Sequence, residues 1–106
     1  MTEEIVILIT VASPEEGAKI AQVLVDEHLA ACVNIVPGVR SFFFWEGKSR
    51  EAAEALMLCK TTMPLMEAFS ARVKSLHSYT VPEIIALPIT AGLPTYLEWI
   101  RTSVTR

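Results

Sequence analysis

The segment of residues 31–47, ACVNIVPGVRSFFFWEG, constrains the fold more than any other part of the chain. Residues 31–36 are rich in β-branched side chains, which favours a strand. Pro37 and Gly38 then interrupt the pairing, because proline donates no hydrogen bond and glycine tolerates a bulge. Residues 41–45 resume the strand, which ends at the turn Glu46-Gly47-Lys48. The helices of a small domain cannot cover bulky aromatic side chains on both faces of so long a strand. We therefore predict that its outer half lies against other copies of the chain.

The size and hydrophobicity of the chain also favour association with other copies of it. With 106 residues it is predicted to be a single domain, residues 1–106, and 52% of its residues are hydrophobic. The mean hydropathy of +0.42 is high for a small monomer, which has little interior for its surface. No apolar run approaches the ~18–20 residues of a transmembrane helix. The start, MTEEIVILIT, lacks the basic segment of a secretory signal. We expect a cytoplasmic homo-oligomer without membrane insertion.

The charge disfavours a nucleic-acid-binding protein. Nucleic-acid binding gains free energy when basic side chains neutralise phosphates, and a chain with a net charge of −3 lacks that excess of basic residues. Base-stacking aromatics on such sheets alternate among basic residues, whereas Phe42, Phe43 and Phe44 are adjacent in an acidic chain, so packing between subunits is the better interpretation. Cys32 and Cys59 are interpreted as reduced core thiols. With a histidine they could also ligate copper or zinc, although neither cysteine has a local ligand partner.

The remaining elements are predicted from hydrophobic patterning and capping residues. Strands are predicted at residues 5–11, 31–45, 54–60 and 82–89, and helices at 13–29, from Thr61 or Thr62 to 76, and at 95–104. Ser13 caps the first helix and Glu16 completes a capping box. The apolar stripes of the first two helices are Ala21, Leu24, Val25 and His28, and Leu65, Phe69, Val73 and Leu76. The order is that of an α+β, ferredoxin-like β-α-β-β-α-β antiparallel sheet with an added C-terminal helix. Both crossing helices cover one face, so the apolar second face is expected to be an interface.

Two polar groups of residues stand out as candidate sites. His77, Tyr79 and Glu83 lie within seven residues after the second helix, whose C-terminal dipole favours a charged histidine. They could bind a metal or an anion, or His77 could cap the helix while the other two fix the loop. Glu54 and Lys60 share one face of a strand by period-two alternation. They could line a polar hollow, or form ion pairs across strands.

Several motifs resemble the CutA divalent-cation tolerance family over nearly the whole chain. They are Ala30-Ala31-Cys32-Val33-Asn34-Ile35, Ser41, Trp45-Glu46-Gly47-Lys48, Lys60-Thr61, His77 with Tyr79, Pro82-Glu83 and Tyr96-Leu97-Trp99-Ile100. The resemblance implies a ferredoxin-like homotrimer, similar in architecture to the PII signalling proteins, with long strands that pair across subunits. It also implies tolerance of copper or another divalent cation, a non-enzymatic role and no organic cofactor.

Carried over by motif, the resemblance implies a ligand-binding pocket between subunits and metal ligands close to it. The ligand-binding candidates are Trp45, Glu54, Lys60, Tyr79 and Glu83, and the metal-binding candidates are His77 and Cys32. The family usually has His-Pro-Tyr where this chain has His77-Ser78-Tyr79, which is expected to loosen the loop. Some members carry a cysteine where this chain has Val11, which weakens a metal site built on that thiol.

Three alternatives from other classes remain open. An acylphosphatase-like enzyme on this fold needs an anion cradle after the first strand, but residues 11–16 are acidic and glycine-free and would repel a phosphate. The second is a purely structural trimeric scaffold, and the third is a small-molecule sensor similar to PII proteins, without a metal role. Both hypotheses agree with the same sequence features as the metal-tolerance hypothesis. The sequence does not separate these last two from it.

Overall fold

The computed structural model describes residues 3–104 as one antiparallel sheet with helices packed on it. The elements are β1 (Glu4–Val11), α1 (Pro14–Asp26), β2 (Cys32–Trp45), β3 (Lys48–Thr62), a one-turn 3-10 helix (Met63–Leu65), α2 (Met66–Leu76), β4 (Ile84–Pro88) and α3 (Pro94–Val104). The strand order is β2-β3-β1-β4 with every neighbouring pair antiparallel. This order confirms the predicted ferredoxin-like α+β plan with an added C-terminal helix.

The core lies between the sheet and helices α1 and α2, on what we call the helix face. Alternation along β1 buries every second side chain, and the register places Cys59 opposite Ile7 and Met57 opposite Ile9. The helices contribute the apolar stripes that cover these strands. The fully or nearly fully buried side chains that meet here include Ile7, Ile9, Val11, Ile20, Leu24, Met57, Cys59, Phe69 and Val73.

Helix α3 covers one end of the opposite side of the sheet, which we call the open face. Arg101 of α3 donates from Nη1 to Oε2 of Glu4 at 2.9 Å, and the Glu4 side chain is completely buried. Elsewhere on this face Val36, Ile85 and Leu87 are 43%, 48% and 48% exposed. The open face therefore keeps apolar side chains in contact with solvent in the single chain, as the sequence predicted.

Strands β2 and β3 continue past the rest of the sheet as a two-stranded hairpin. The last register pair of β1 is Val11 with Ala55, so residues 39–54, which we call the arm, pair only with each other. The predicted interruption is present as a register shift between Val36 and Val39, with Gly38 at φ 74°. Glu46 and Gly47, at φ 51° and 84°, form the tight turn at the tip. The arm makes the chain elongated, 44 × 25 × 23 Å.

The prediction for β3 was too short, because only its second half carries an apolar pattern. The strand starts at Lys48 rather than at residue 54. Its first half, KSREAA, is polar and is held in the ladder by backbone pairing to the aromatic half of β2. The fourth strand differs in the other direction, since β4 runs from Ile84 to Pro88 rather than over residues 82–89.

The predicted helix boundaries were wrong at two places. Helix α1 ends at Asp26, not at residue 29, because His28 adopts a left-handed backbone at φ 60° and the Leu29 N–H turns back to the Leu24 carbonyl at 2.9 Å. His28 is therefore not part of the apolar stripe. The cap predicted at Thr61 or Thr62 is also wrong: Thr62 precedes the 3-10 helix and makes no side-chain capping bond.

Candidate functional site

His77 lies at the C-terminal end of α2, and its ring is hydrogen-bonded on both sides. The Nδ1 atom accepts from the Tyr79 backbone N–H at 3.0 Å, and Nε2 lies 2.8 Å from the Thr10 carbonyl oxygen. Because a carbonyl oxygen can only accept, we assign the proton to Nε2, which donates to Thr10. The His77 side chain is 0% exposed. The imidazole therefore ties the end of β1 to the loop after α2.

Glu16 anchors the same loop from α1. The backbone N–H and the hydroxyl of Ser78 both donate to its carboxylate, at 2.9 and 3.0 Å. Burial raises the pKa of Glu16, but these two bonds and the nearby His77 outweigh burial and leave the pKa lowered. Ser13 caps α1 as predicted, accepting from the Glu16 N–H at 3.1 Å. The Glu16 carboxylate, however, accepts hydrogen bonds from the loop after α2. These two bonds to Ser78 hold the loop at the position where the family usually has a proline.

Tyr79 carries the connection from the loop to the arm. Its hydroxyl donates to Oε2 of Glu54 at 2.6 Å, and its ring centroid lies 4.7 Å from that of His77. Burial, the bond to Glu54 and the charges of Glu54 and Glu16 all raise the pKa of the Tyr79 phenol. The phenol therefore remains a hydrogen-bond donor throughout the physiological range.

A cavity opens at the base of the arm, beside this Tyr79–Glu54 contact. We call it the arm-base pocket, and its volume is about 730 Å³. Its walls are mainly apolar and aromatic, and the two ionisable acids among them are Glu54 and Glu83. The lining residues are Thr10, Ser41, Phe42, Phe43, Trp45, Ala52, Glu54, Tyr79, Thr80, Val81 and Glu83. This volume falls in the range of roughly 300–1,000 Å³ that small-molecule sites occupy.

The structure brings four of the five predicted ligand-binding residues together and leaves the fifth outside. Trp45, Glu54, Tyr79 and Glu83 line the arm-base pocket. Lys60 shares a face with Glu54, as expected from alternation, but six residues of strand separate them by roughly 20 Å. Its Nζ donates instead to Oδ1 of Asn34. Lys60 therefore does not belong to the pocket within one chain.

The predicted metal ligands do not meet within one chain. Cys32 is opposite Lys60 in β3, which is opposite Val6 in β1, whereas the His77 ring contacts Thr10, four residues further along β1. Nε2 of His77 carries the proton donated to Thr10, and the lone pair of Nδ1 accepts from the Tyr79 N–H, so the ring has no lone pair free for a metal. Among the described residues 3–104, no three His, Cys, Asp or Glu side chains are grouped to hold an ion. The donor set of a single chain does not fit a resident metal at His77 and Cys32.

Sequence reasoning missed the contribution of Glu16 and of the hydroxyl-bearing residues at the pocket. Thr10, Ser41 and Thr80 come from three different elements, and no spacing in the sequence links them. One signal was available for Ser41, since it precedes the aromatic run and alternation places it on the same face as Phe43 and Trp45.

Strand order and the added helix make this chain a ferredoxin-like α+β protein, with its candidate site at the base of a hairpin arm. Sequence comparison defines it more closely. The chain belongs to the CutA1 family, because the family model described as "CutA1 divalent ion tolerance protein" matches residues 5–103. The resemblance read from the motifs is confirmed.

Individual relatives agree with this assignment. The divalent-cation tolerance protein CutA of Thermus thermophilus is 54% identical over 92% of this chain and 95% of its own length. Its solved structure has a TM-score of 0.94 at 52% identity, covering 96% of this chain and 99% of that one. Protein CutA of Arabidopsis thaliana, named chloroplastic, is 50% identical over 93% of this chain. The chain spans 54% of the length of that plant protein.

The expectation of a cytoplasmic protein is wrong on these comparisons. The Arabidopsis relative is named chloroplastic. A structure from Archaeoglobus fulgidus is described as a periplasmic divalent cation tolerance protein CutA, with a TM-score of 0.93 at 45% identity over 96% of this chain and 99% of that one. The first residues of the chain do not identify its compartment, because relatives of similar sequence are named for different compartments. Within residues 3–104, no helix is both long and apolar enough to cross a membrane.

Proposed function

We propose that this protein acts in tolerance of divalent cations, copper among them, as a homotrimer that catalyses no reaction. The observation that carries the proposal is the solvent-exposed apolar surface of the single chain. On the arm, Phe42 and Phe44 are 68% and 74% exposed, on the face opposite to Phe43 and Trp45. Water contact with so many large apolar groups is unfavourable, and burying them against other copies removes that cost. That the oligomer contains three subunits is taken from the family resemblance.

The open face supplies the second part of the proposed interface. Its exposed Val36, Ile85 and Leu87 extend the apolar surface from the base of the arm to the edge strand β4. An arm that reaches a neighbouring sheet would also place that neighbour close to the arm-base pocket. We infer that the pocket is a site between subunits, and that any metal ligation involving His77 or Cys32 would need groups from more than one chain.

The absence of enzymatic activity is proposed from the bonding of the groups that would have to react. The Ser78 hydroxyl donates to Glu16, and His77 is hydrogen-bonded to backbone groups on both sides, so the pair is not arranged as nucleophile and base. Glu15 and Glu16 sit at the start of α1, where a phosphate cradle would need positive charge. A small-ligand sensor is the second candidate, and the aromatic walls of the arm-base pocket favour it.

The experiment is complementation in a bacterial strain that lacks its own family member and is sensitive to copper. The wild-type chain is expected to restore growth in copper, and Phe44→Ser, which removes an exposed aromatic group of the arm, is expected to restore it less. Glu67→Gln, an exposed change on α2 away from the arm, is the matched control and should behave as wild type.

Two results would contradict the proposal. The first is wild-type chain that is well expressed and leaves copper sensitivity unchanged. The second is turnover of a phosphate ester or similar substrate by the purified protein, abolished by His77→Ala, which would restore the enzyme alternative.

A further inference from the structure

The arm-base pocket combines negative charge with aromatic walls, and no Lys, Arg or His of residues 3–104 lines it. Glu54 and Glu83 both line it, and neither has an ion-pair partner among the described residues. Glu54 is hydrogen-bonded to the neutral phenol of Tyr79, which leaves its negative charge uncompensated. Carboxylates at an apolar wall attract a cation more strongly than carboxylates in bulk water, because the local dielectric is lower.

The arm carries three basic side chains, and both of its arginines make contacts away from the pocket acids. Arg50 donates from Nε to the Trp45 carbonyl at 3.1 Å and lies 3.5 Å from the Glu46 carboxylate, at the tip of the hairpin. Arg40 lies on the helix face and pairs with Glu51 at 2.7 Å. Neither arginine lines the pocket, and neither does Lys48, which follows the turn. None of these three cations forms an ion pair with Glu54 or Glu83.

The aromatic residues indicate which kind of cation would fit. Phe43 and Trp45 share the face of Glu54, and the Tyr79 ring closes the pocket from the loop. Aromatic faces attract weakly hydrated cations such as guanidinium or quaternary ammonium groups. A ring of the arm already makes such a contact, since the Arg40 guanidinium carbon lies 5.4 Å from the centroid of Phe42. Bare metal ions instead need several donors at once, and no such group of His, Cys, Asp and Glu exists among residues 3–104.

We propose that the arm-base pocket binds an organic cation, an aromatic amidinium or ammonium compound, whose ring lies against Trp45 and Phe43 and whose charge faces Glu54 and Glu83. This inference names the ligand class of the pocket and rests on the proposed function for its location between subunits. The carboxylates determine the charge of the ligand and the aromatic rings determine its shape, and the pocket volume in the single chain is about 730 Å³.

Three molecules of nearly equal size and shape test the charge requirement. Benzamidine is positive at neutral pH, benzamide is neutral and benzoate is negative. Calorimetric titration of the assembled protein is expected to show benzamidine binding at least about tenfold more tightly than benzamide, as for a charge contact of roughly 1.4 kcal/mol, and no binding of benzoate. Equal affinity of benzamidine and benzamide, tighter binding of benzoate, or no binding of any of the three would overturn the inference.

Neutral variants of the acids locate the site. Glu83→Gln and Glu54→Gln keep shape and are each expected to weaken benzamidine binding about fivefold or more while leaving the weak affinity for benzamide unchanged. Glu67→Gln on α2 is the matched control and should change neither affinity. Binding that survives both pocket variants unaltered would overturn the assignment to this pocket.

Sedimentation of each sample separates this inference from the proposed function. A trimer that binds benzamide and benzamidine alike refutes the organic-cation inference alone. A single folded chain refutes the assembly, whatever it binds. If copper chloride binds to the trimer through Glu54 and Glu83 and benzamidine neither binds nor competes, the pocket is a metal site and the inference is wrong.

Discussion

Replacing His77 by alanine is expected to destabilise the protein strongly without any metal being involved. The ring is fully buried, donates to the Thr10 carbonyl at 2.8 Å and accepts from the Tyr79 N–H at 3.0 Å. The alanine variant leaves both backbone groups without their partner, and an unsatisfied buried polar group costs about 1–3 kcal/mol. With the space left by the ring, we expect a loss of about 3–5 kcal/mol in the free energy of unfolding.

Two partial replacements separate the two hydrogen bonds. His77→Asn can place an acceptor near the Nδ1 position, and His77→Gln can place a donor near the Nε2 position. Each is expected to recover part of the stability lost in His77→Ala. The assay is urea unfolding followed by circular dichroism at one fixed protein concentration, because unfolding of an oligomer depends on concentration.

The same assay with a chelator and with copper chloride distinguishes the structural role from metal ligation. The expected loss is the same in both conditions. A loss below about 1 kcal/mol would refute the reasoning, since it is less than one unsatisfied group costs. So would a loss seen with copper and absent with the chelator, because that pattern would show that the ring acts through a bound ion.

Three further predictions concern other contacts of the chain. Because the folded-state pKa of Glu16 lies below its ordinary 4.5, its contribution to stability is present above that pH and is lost as the pH falls through the folded-state value. Ser78→Ala should therefore cost about 1 kcal/mol at pH 7 and progressively less as the pH falls below 4.5, and a cost that does not fall with pH would contradict this. Arg101→Met leaves the buried Glu4 carboxylate without its cation and should cost about 2–3 kcal/mol in thermal or urea unfolding, with part regained when Glu4→Gln is added; no recovery would argue against the pair. Burial raises the pKa of Cys59 to about 12, so a thiol reagent should label Cys59 only after unfolding, and labelling of the folded protein at neutral pH would refute its burial.

The fold was predictable because its signals are local. Residues 5–11 form an apolar run broken only by Thr10, which predicts a strand. Ser13 caps the following helix, and Pro37 with Gly38 marks the bulge. The failures arose where tertiary contacts decide. His28 takes a left-handed backbone that ends α1 early, with its Nδ1 3.2 Å from the Ser103 carbonyl at the other end of the chain.

The site was predictable in its residue types but not in its grouping. Alternation correctly placed Glu54 and Lys60 on one face of β3. It does not show whether two residues on that face are close enough to line the same pocket, and only Glu54 lines it. Ser78 makes two hydrogen bonds to Glu16, which lies 62 positions away in the sequence. No spacing pattern could predict a contact between residues so far apart. The same holds for the hydrogen bonds that occupy both nitrogens of His77, which decide against a metal ligand in a single chain.

Self-association through the arm and the open face is the claim on which the proposed pocket depends, and sedimentation equilibrium at micromolar protein concentration tests it most directly. We expect a particle of three times the 11.7 kDa chain, and Leu87→Asp on the open face should reduce that mass. A compact, folded particle of 11.7 kDa in the wild-type protein would contradict it.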